Sequence, residues 1–210
     1  MKYDIICKAV WFVFDKSFVK ELNNVLKYDK KQCKEINKKA KIKYKEILKD
    51  INEFEKEDSF KLNIVGCAMF ASFLLSMPKK PSLFDATIYY NNAMMTKTMK
   101  WFCKQSAKSK YSNKDINRLK KTEKLKAAYR NPYSWNMELL MYPDGSGYEA
   151  RFYKCGICTL MKKLGLFEFT PALCKLDYAM AEAGGRTNFI RQYTIASNGP
   201  YCDCGYKKIK

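Results

Sequence analysis

Apolar residues at 18, 22, 25, 26, 36, 40, 44, 47, 48 and 51 recur at steps of three and four through a lysine-rich background. This period predicts an amphipathic helix over residues 16–54, or two helices with a break near 28–31. Residues 62–77 follow as sixteen positions without a charge, which predicts a helix buried on all sides rather than a bilayer span of about 20 residues. Pro78 and Pro81 punctuate the chain, and Ser82 is placed to cap a helix carrying Phe84, Ile88, Tyr89, Met94, Met95, Met99 and Trp101. Ser112 or Asn113 can cap a further basic helix ending near Arg130, before Asn131-Pro132.

After residue 131 the pattern changes. Segments 134–142 and 148–155 flank Pro143-Asp144-Gly145-Ser146-Gly147, a β-hairpin signal. A short helix is predicted over 156–164 and another from Pro171, suited to a first helical turn, to about Ala183, stopped by Gly184-Gly185. Residues 188–196 alternate as a third strand and 201–206 as a fourth. The expected architecture is α+β in one domain over 1–210, with a helical part to 130 and a small antiparallel sheet with two helices over 131–210.

Composition narrows the function. The 210-residue chain has no histidine, which excludes Ser/His/Asp triads, Cys/His dyads and His-ligated zinc. The net charge of +19 invites a polyanionic partner, but only five of the basic residues are arginine, and the lysines concentrate before residue 130. A solvated lysine face is the reading adopted for 16–54; nucleic-acid or anionic-surface binding stands as an alternative, and a nucleic-acid partner is not expected. Early apolar runs are interrupted by Asp4, Lys8, Asp15 and Lys16, so a cytoplasmic protein without a membrane span is expected. Nine cysteines then read as reduced thiols.

The residue types that perform chemistry crowd into the last third: Cys155, Cys158, Cys174, Asp177, Arg186, Arg191, Cys202, Asp203 and Cys204. Cys174 and Asp177, three apart on a predicted helix, project from one face and can enter one pocket. Five of these cysteines would suffice for a four-sulfur metal site, yet only one Cys-x-x-Cys knuckle is present, and Cys202 and Cys204 are expected to diverge on their strand. No metal and no cofactor are expected.

Ser134-Trp135-Asn136-Met137-Glu138, Cys155-Gly156-Ile157, Leu164-Gly165-Leu166-Phe167-Glu168, Pro171-Ala172-Leu173-Cys174-Lys175-Leu176-Asp177-Tyr178, Phe189-x-Arg191 with Thr194-Ile195-Ala196, and Cys202-Asp203 together resemble the L-2-amino-thiazoline-4-carboxylic acid hydrolase family. The chain departs from that pattern at Cys204-Gly205 and at Ser197-Asn198-Gly199. The resemblance implies hydrolytic opening of a cyclic isothiourea to N-carbamoyl-L-cysteine. It implies Asp177 and Asp203 as carboxylates that hold the amidinium or activate water, and Cys174 or Cys202 as the alternative thiolate nucleophile. Arg191 and Arg186 would pair with the substrate carboxylate, with Thr194 and Cys155 as further substrate-binding positions. Asp177 and Asp203 are expected to converge in one pocket, where two carboxylates oppose thiolate formation and so favour activated water. A non-catalytic small-molecule or metal-binding protein of the same fold is the other reading.

Overall fold

The computed structural model describes residues 1–128 and 130–209. The described residues form an α+β fold in the order α1 (Ile5–Asn24), α2 (Lys30–Lys49), α3 (Lys61–Ser76), α4 (Leu83–Met94), α5 (Lys97–Ala107), α6 (Asn113–Ala128), β1 (Glu138–Met141), β2 (Gly147–Phe152), α7 (Gly156–Lys163), α8 (Thr170–Gly184), β3 (Thr187–Ile190) and β4 (Cys202–Lys208). The two-helix reading of the first region is the observed one. Asp29 starts α2 with a capping box, accepting from the Gln32 amide at 2.8 Å while the Gln32 side chain accepts from the Asp29 amide at 3.0 Å. The first helix begins well before residue 16, at Ile5, because Asp4 caps it through the Cys7 amide at 3.1 Å. Its opening turns carry Ile5 and Phe12 on the outside, both 81% exposed, which hides the apolar period there.

The single helix expected from Ser82 through Trp101 is two. Thr96 restarts the chain as the cap of α5, its Oγ1 accepting from the Met99 amide at 3.2 Å. In the hairpin, residues 134–137 lie outside the strand, and of the third predicted strand only Thr187–Ile190 pairs, the remainder turning through a 3-10 segment at Ile195–Ser197.

α3 is apolar on all faces and sits at the centre of the helical part, as expected for a fully buried helix. Trp11 stacks on Phe73 with ring centroids 5.7 Å apart, Phe18 stacks on Phe73 at 4.9 Å, and Phe18 meets Tyr89 edge-on at 5.5 Å. The same core continues into Trp135, Leu160, Phe169 and Leu176, so the hairpin approach, α7 and α8 rest on the helical part. No helix among the described residues is long and apolar enough to cross a membrane.

The four strands form one antiparallel sheet in the order β1-β2-β4-β3. Its register pairs Ala150 with Cys204, Phe152 with Cys202, Arg151 with Asp203 and Phe189 with Tyr206. The pleat alternates side chains, so Phe152, Cys202, Cys204, Tyr206 and Phe189 share the face covered by α8, while Arg151 and Asp203 occupy the other. Gly205 on that outer face is a packing requirement: a Cβ there would lie 2.5 Å from the Tyr142 hydroxyl and 2.6 Å from Ile190.

Candidate functional site

α8 brings the site together. Pro171 sits in its first turn, and Gly185 closes it in the left-handed conformation at φ +69°. This sharp exit sends the chain directly into β3, and Arg191, just past the strand, folds back onto the helix. One guanidinium nitrogen, Nη1, lies 2.8 Å from Asp177 Oδ2, and the other, Nη2, donates to the Cys174 carbonyl at 2.6 Å. Tyr178 and Phe189 rings flank the guanidinium at 5.3 and 5.2 Å.

The two ends of this pair differ in access: the Arg191 side chain is 5% exposed and that of Asp177 is 43%. Asp177 is surrounded by protein yet open through a cleft, a placement that desolvates a carboxylate without sealing it. Desolvation pushes its pKa above the ordinary aspartate value, and Arg191 opposes that rise. Oδ1 has no hydrogen-bond partner among the described residues.

The thiols lie beneath. Burial pushes Cys174 up to about 12, with Arg191 opposing and Asp177 adding to the rise. Cys202 is also raised by burial, and its sulfur accepts from the Ile195 amide at 3.3 Å. Cys155, at the cap position of α7, is raised first by its hydrogen bond with Cys158 and then by burial. Cys67 of α3 belongs to the same electrostatic neighbourhood, raised by burial and by Cys155 and Cys174; nothing in the local sequence of that apolar helix distinguishes it. Cys202 and Cys204 do not diverge: two residues apart on β4, both are buried on the face toward α8. Even so, among the described residues no group of three His, Cys, Asp or Glu has a geometry that could hold a metal ion.

The expected convergence of Asp177 and Asp203 is not found. Strand alternation turns Asp203 to the outer face, where its oxygens accept from the Gln192 amide at 2.9 Å and the Tyr193 amide at 2.6 Å. Asp203 thereby shapes the loop after β3. Thr194 caps the 3-10 segment, its Oγ1 accepting from the Ser197 amide at 3.1 Å. Arg186 is exposed and donates to the Lys108 carbonyl at 3.3 Å, beside cleft residue Thr187. Arg191 is committed to Asp177 and Cys174 rather than presented as a free cation.

The cleft itself has a volume of about 220 Å³ and lies between α5, α6 and the C-terminal half of α8, with β3 and β4 at its floor. Besides Asp177 it is lined by Lys110, Arg118 and Tyr206. Lys110 Nζ sits 3.9 Å from the Tyr206 ring centroid and 5.2 Å from that of Tyr148. Burial lowers its pKa to about 8, with Asp115 opposing. Sequence reading leaves Lys110 and Arg118 in the basic background; only the packing of the α5–α6 connection against the sheet distinguishes them. That connection is held by Tyr111, whose hydroxyl lies 2.9 Å from Thr187 Oγ1, and by Asp115, which accepts from the Tyr111 amide at 3.0 Å and from Arg118 at 2.8 Å.

No curated protein and no solved structure matches the chain. A family model described as L-2-amino-thiazoline-4-carboxylic acid hydrolase matches residues 87–206, a span that begins within α4 and includes α5, α6, α8, β3 and the cleft-lining part of β4. Over more than half of its length, and across the elements that build the cleft, the chain belongs to the L-2-amino-thiazoline-4-carboxylic acid hydrolase family.

Proposed function

We propose that this protein hydrolyses a small cyclic amidine or isothiourea, as in the conversion of L-2-amino-thiazoline-4-carboxylate to N-carbamoyl-L-cysteine, with Asp177 as the principal catalytic group. The observation that carries this reading is a half-exposed carboxylate that lines a cleft of small-molecule size, with one oxygen held by a buried arginine and the other without a hydrogen-bond partner among the described residues. A protonated amidine carries its positive charge over two nitrogens and the carbon between them. A carboxylate beside it selects the cation and keeps that carbon electrophilic. Water adds to the ring carbon, and Asp177 accepts the proton that water loses. The carbon–sulfur bond then breaks, the sulfur leaves as a thiol after taking a proton, and the former ring carbon becomes the carbamoyl carbonyl. One water is consumed, and no oxidant or cofactor enters the balance.

In this reading Arg191 is a positioning residue, fixing the Asp177 rotamer and tying it to the Cys174 carbonyl. Asp203, Thr194 and Cys202 shape the loop after β3 through the amides they accept from. Cys174 and Cys155 stand behind the Asp177–Arg191 pair, outside the cleft lining, as neutral thiols, and Arg186 stands at the rim. A thiol raised to about 12 has little thiolate at neutral pH, which favours activated water over covalent attack. The setting is cytoplasmic and the partner is the small-molecule substrate alone. Incubation with L-2-amino-thiazoline-4-carboxylate should release one free thiol per substrate with a mass gain of one water; an unchanged substrate at high enzyme concentration overturns the proposal.

A further inference from the structure

The cleft holds a second unsatisfied charge. Lys110 Nζ has no hydrogen-bond or ion-pair partner among the described residues; its contacts are the faces of Tyr206 and Tyr148. Asp115, the nearby carboxylate, is engaged at one oxygen by Arg118 and at the other by the Tyr111 amide. Tyr206 lines the cleft, so an ammonium 3.9 Å from its ring stands at the cavity wall. Partial burial of an ammonium with no acceptor is unfavourable, and a ligand in the cleft that supplies one relieves that cost. Arg118, half of whose fork is engaged by Asp115, lines the same cavity and adds positive potential.

From this geometry we infer that Lys110 anchors the carboxylate of the substrate, so that the cleft reads a zwitterion: a cationic amidine at Asp177 Oδ1 and a carboxylate at Lys110, with Arg118 in support. This rests on the reading of Asp177 given above and adds to it the selection of amino-acid-derived rings over plain cyclic amidines. The two tyrosine rings serve as a platform. They hold the ammonium by cation–π attraction without consuming its N–H donors, which stay free for a carboxylate. Arg191 cannot perform this task, since its guanidinium is turned inward to Asp177 and the Cys174 carbonyl.

Calorimetric binding and turnover of two compounds test the assignment: L-2-amino-thiazoline-4-carboxylate and its decarboxylated analogue, 2-amino-2-thiazoline. A charge-assisted contact predicts that the native protein binds the carboxylate compound about tenfold or more tightly than the analogue. Lys110→Met, which keeps the stem packed between the tyrosines, should erase that preference by weakening the first compound while leaving affinity for the second within about twofold. Lys110→Arg should restore part of it, and each variant is read only after its thermal transition matches the native one. Equal weakening of both compounds, or an intact preference in Lys110→Met, overturns the assignment even if turnover persists. Binding with the expected preference but without thiol release leaves the anchor standing and overturns the hydrolytic reading. If neither compound binds, both readings are overturned. Should Lys110→Met not fold, Arg118→Gln and the native preference itself carry the test, since a native protein indifferent to the carboxylate overturns the anchor directly.

Discussion

Two carboxylates in this fold are paired with buried cations, and they are built to opposite ends. Asp58 meets Lys126 at 2.5 Å with both side chains at 0% exposure, and Ser134 completes the group, accepting from Lys126 at 2.5 Å and donating to Asp58 at 2.8 Å. The Phe60 ring lies 4.6 Å from the ammonium. Asp177 meets Arg191 at 2.8 Å, but the carboxylate is open at one oxygen and the cleft reaches it. A sealed, mutually satisfied group ties the approach to α3, helix α6 and the segment before β1 to one another. A half-satisfied group at a cavity wall keeps its remaining capacity for a ligand. Burial alone therefore does not mark function; the unfilled valence beside solvent does.

The largest effect should come from the open pair. Asp177→Asn keeps an oxygen for Arg191 but cannot take a proton or balance an amidinium, so kcat should fall by about 10² to 10⁴, while the melting temperature drops by only about 5 °C. Steady-state kinetics beside a thermal melt make the comparison; native rates in Asp177→Asn would remove the residue from the chemistry. The raised pKa sets the pH sign. Activity that needs the ionised carboxylate should rise with pH through a midpoint above the ordinary aspartate value. The folded protein holds this proton more tightly than the unfolded chain, so the stability contribution of Asp177 decreases across the same interval as pH rises.

The sealed pair should show the reverse division. Lys126→Met leaves Asp58 buried without its cation and should cost about 3–5 kcal/mol, a loss of about 10 °C or more in melting temperature. Turnover per folded molecule should stay near native. Adding Asp58→Asn removes the stranded charge, so the double variant should be more stable than Lys126→Met alone. If the second substitution instead deepens the loss additively, the two side chains are not acting as a pair.

What the sequence discloses of this comparison follows range. Helix punctuation is local, so Pro171 and Gly184-Gly185 are legible and α8 has nearly its predicted limits, whereas α2 starts at the expected break but ends at Lys49, short of residue 54. The family motif places Cys174, Asp177 and Arg191 together in one neighbourhood, and α8 with the turn after it explains why. The break at Met95–Thr96 is masked by Met94, Met95 and Met99, which continue the apolar stripe across it. That Asp203 turns to the outer face while Cys202 and Cys204 face α8 is a consequence of the two-residue strand period once the strand is placed. Lys110 is different in kind. It lies 67 positions before Asp177 in a lysine-rich stretch, and only the docking of the α5–α6 connection on the sheet separates it from its solvated neighbours.

A smaller effect is expected at the thiol beside the open pair. Cys174, raised to about 12, holds about one part in 10⁵ as thiolate at pH 7. Cys174→Ser keeps the shape and should reduce turnover by less than about tenfold. A substrate-dependent covalent adduct on Cys174, detected by mass spectrometry of quenched enzyme, would move the chemistry from Asp177 to the thiol and leave the carboxylate as its electrostatic partner.

The smallest effect should come from the lysines that dominate the charge. Lys34, Lys38 and Lys41 on α2 are exposed and outside the cleft lining, whereas Lys110 lies within it. Charges separated by more than about 10 Å of solvent are largely screened at physiological salt. Replacing these three by glutamine should therefore leave kcat and KM within about twofold, while the protein's retention on an anionic resin weakens. The contrast with Lys110 is the point of the measurement, since one half-buried ammonium at the cleft is expected to outweigh three exposed ones for an anionic substrate. If the triple variant instead loses much of kcat/KM, and the native enzyme loses the same factor on raising the salt, then the lysine face gathers substrate by long-range attraction and selectivity is shared between the two regions.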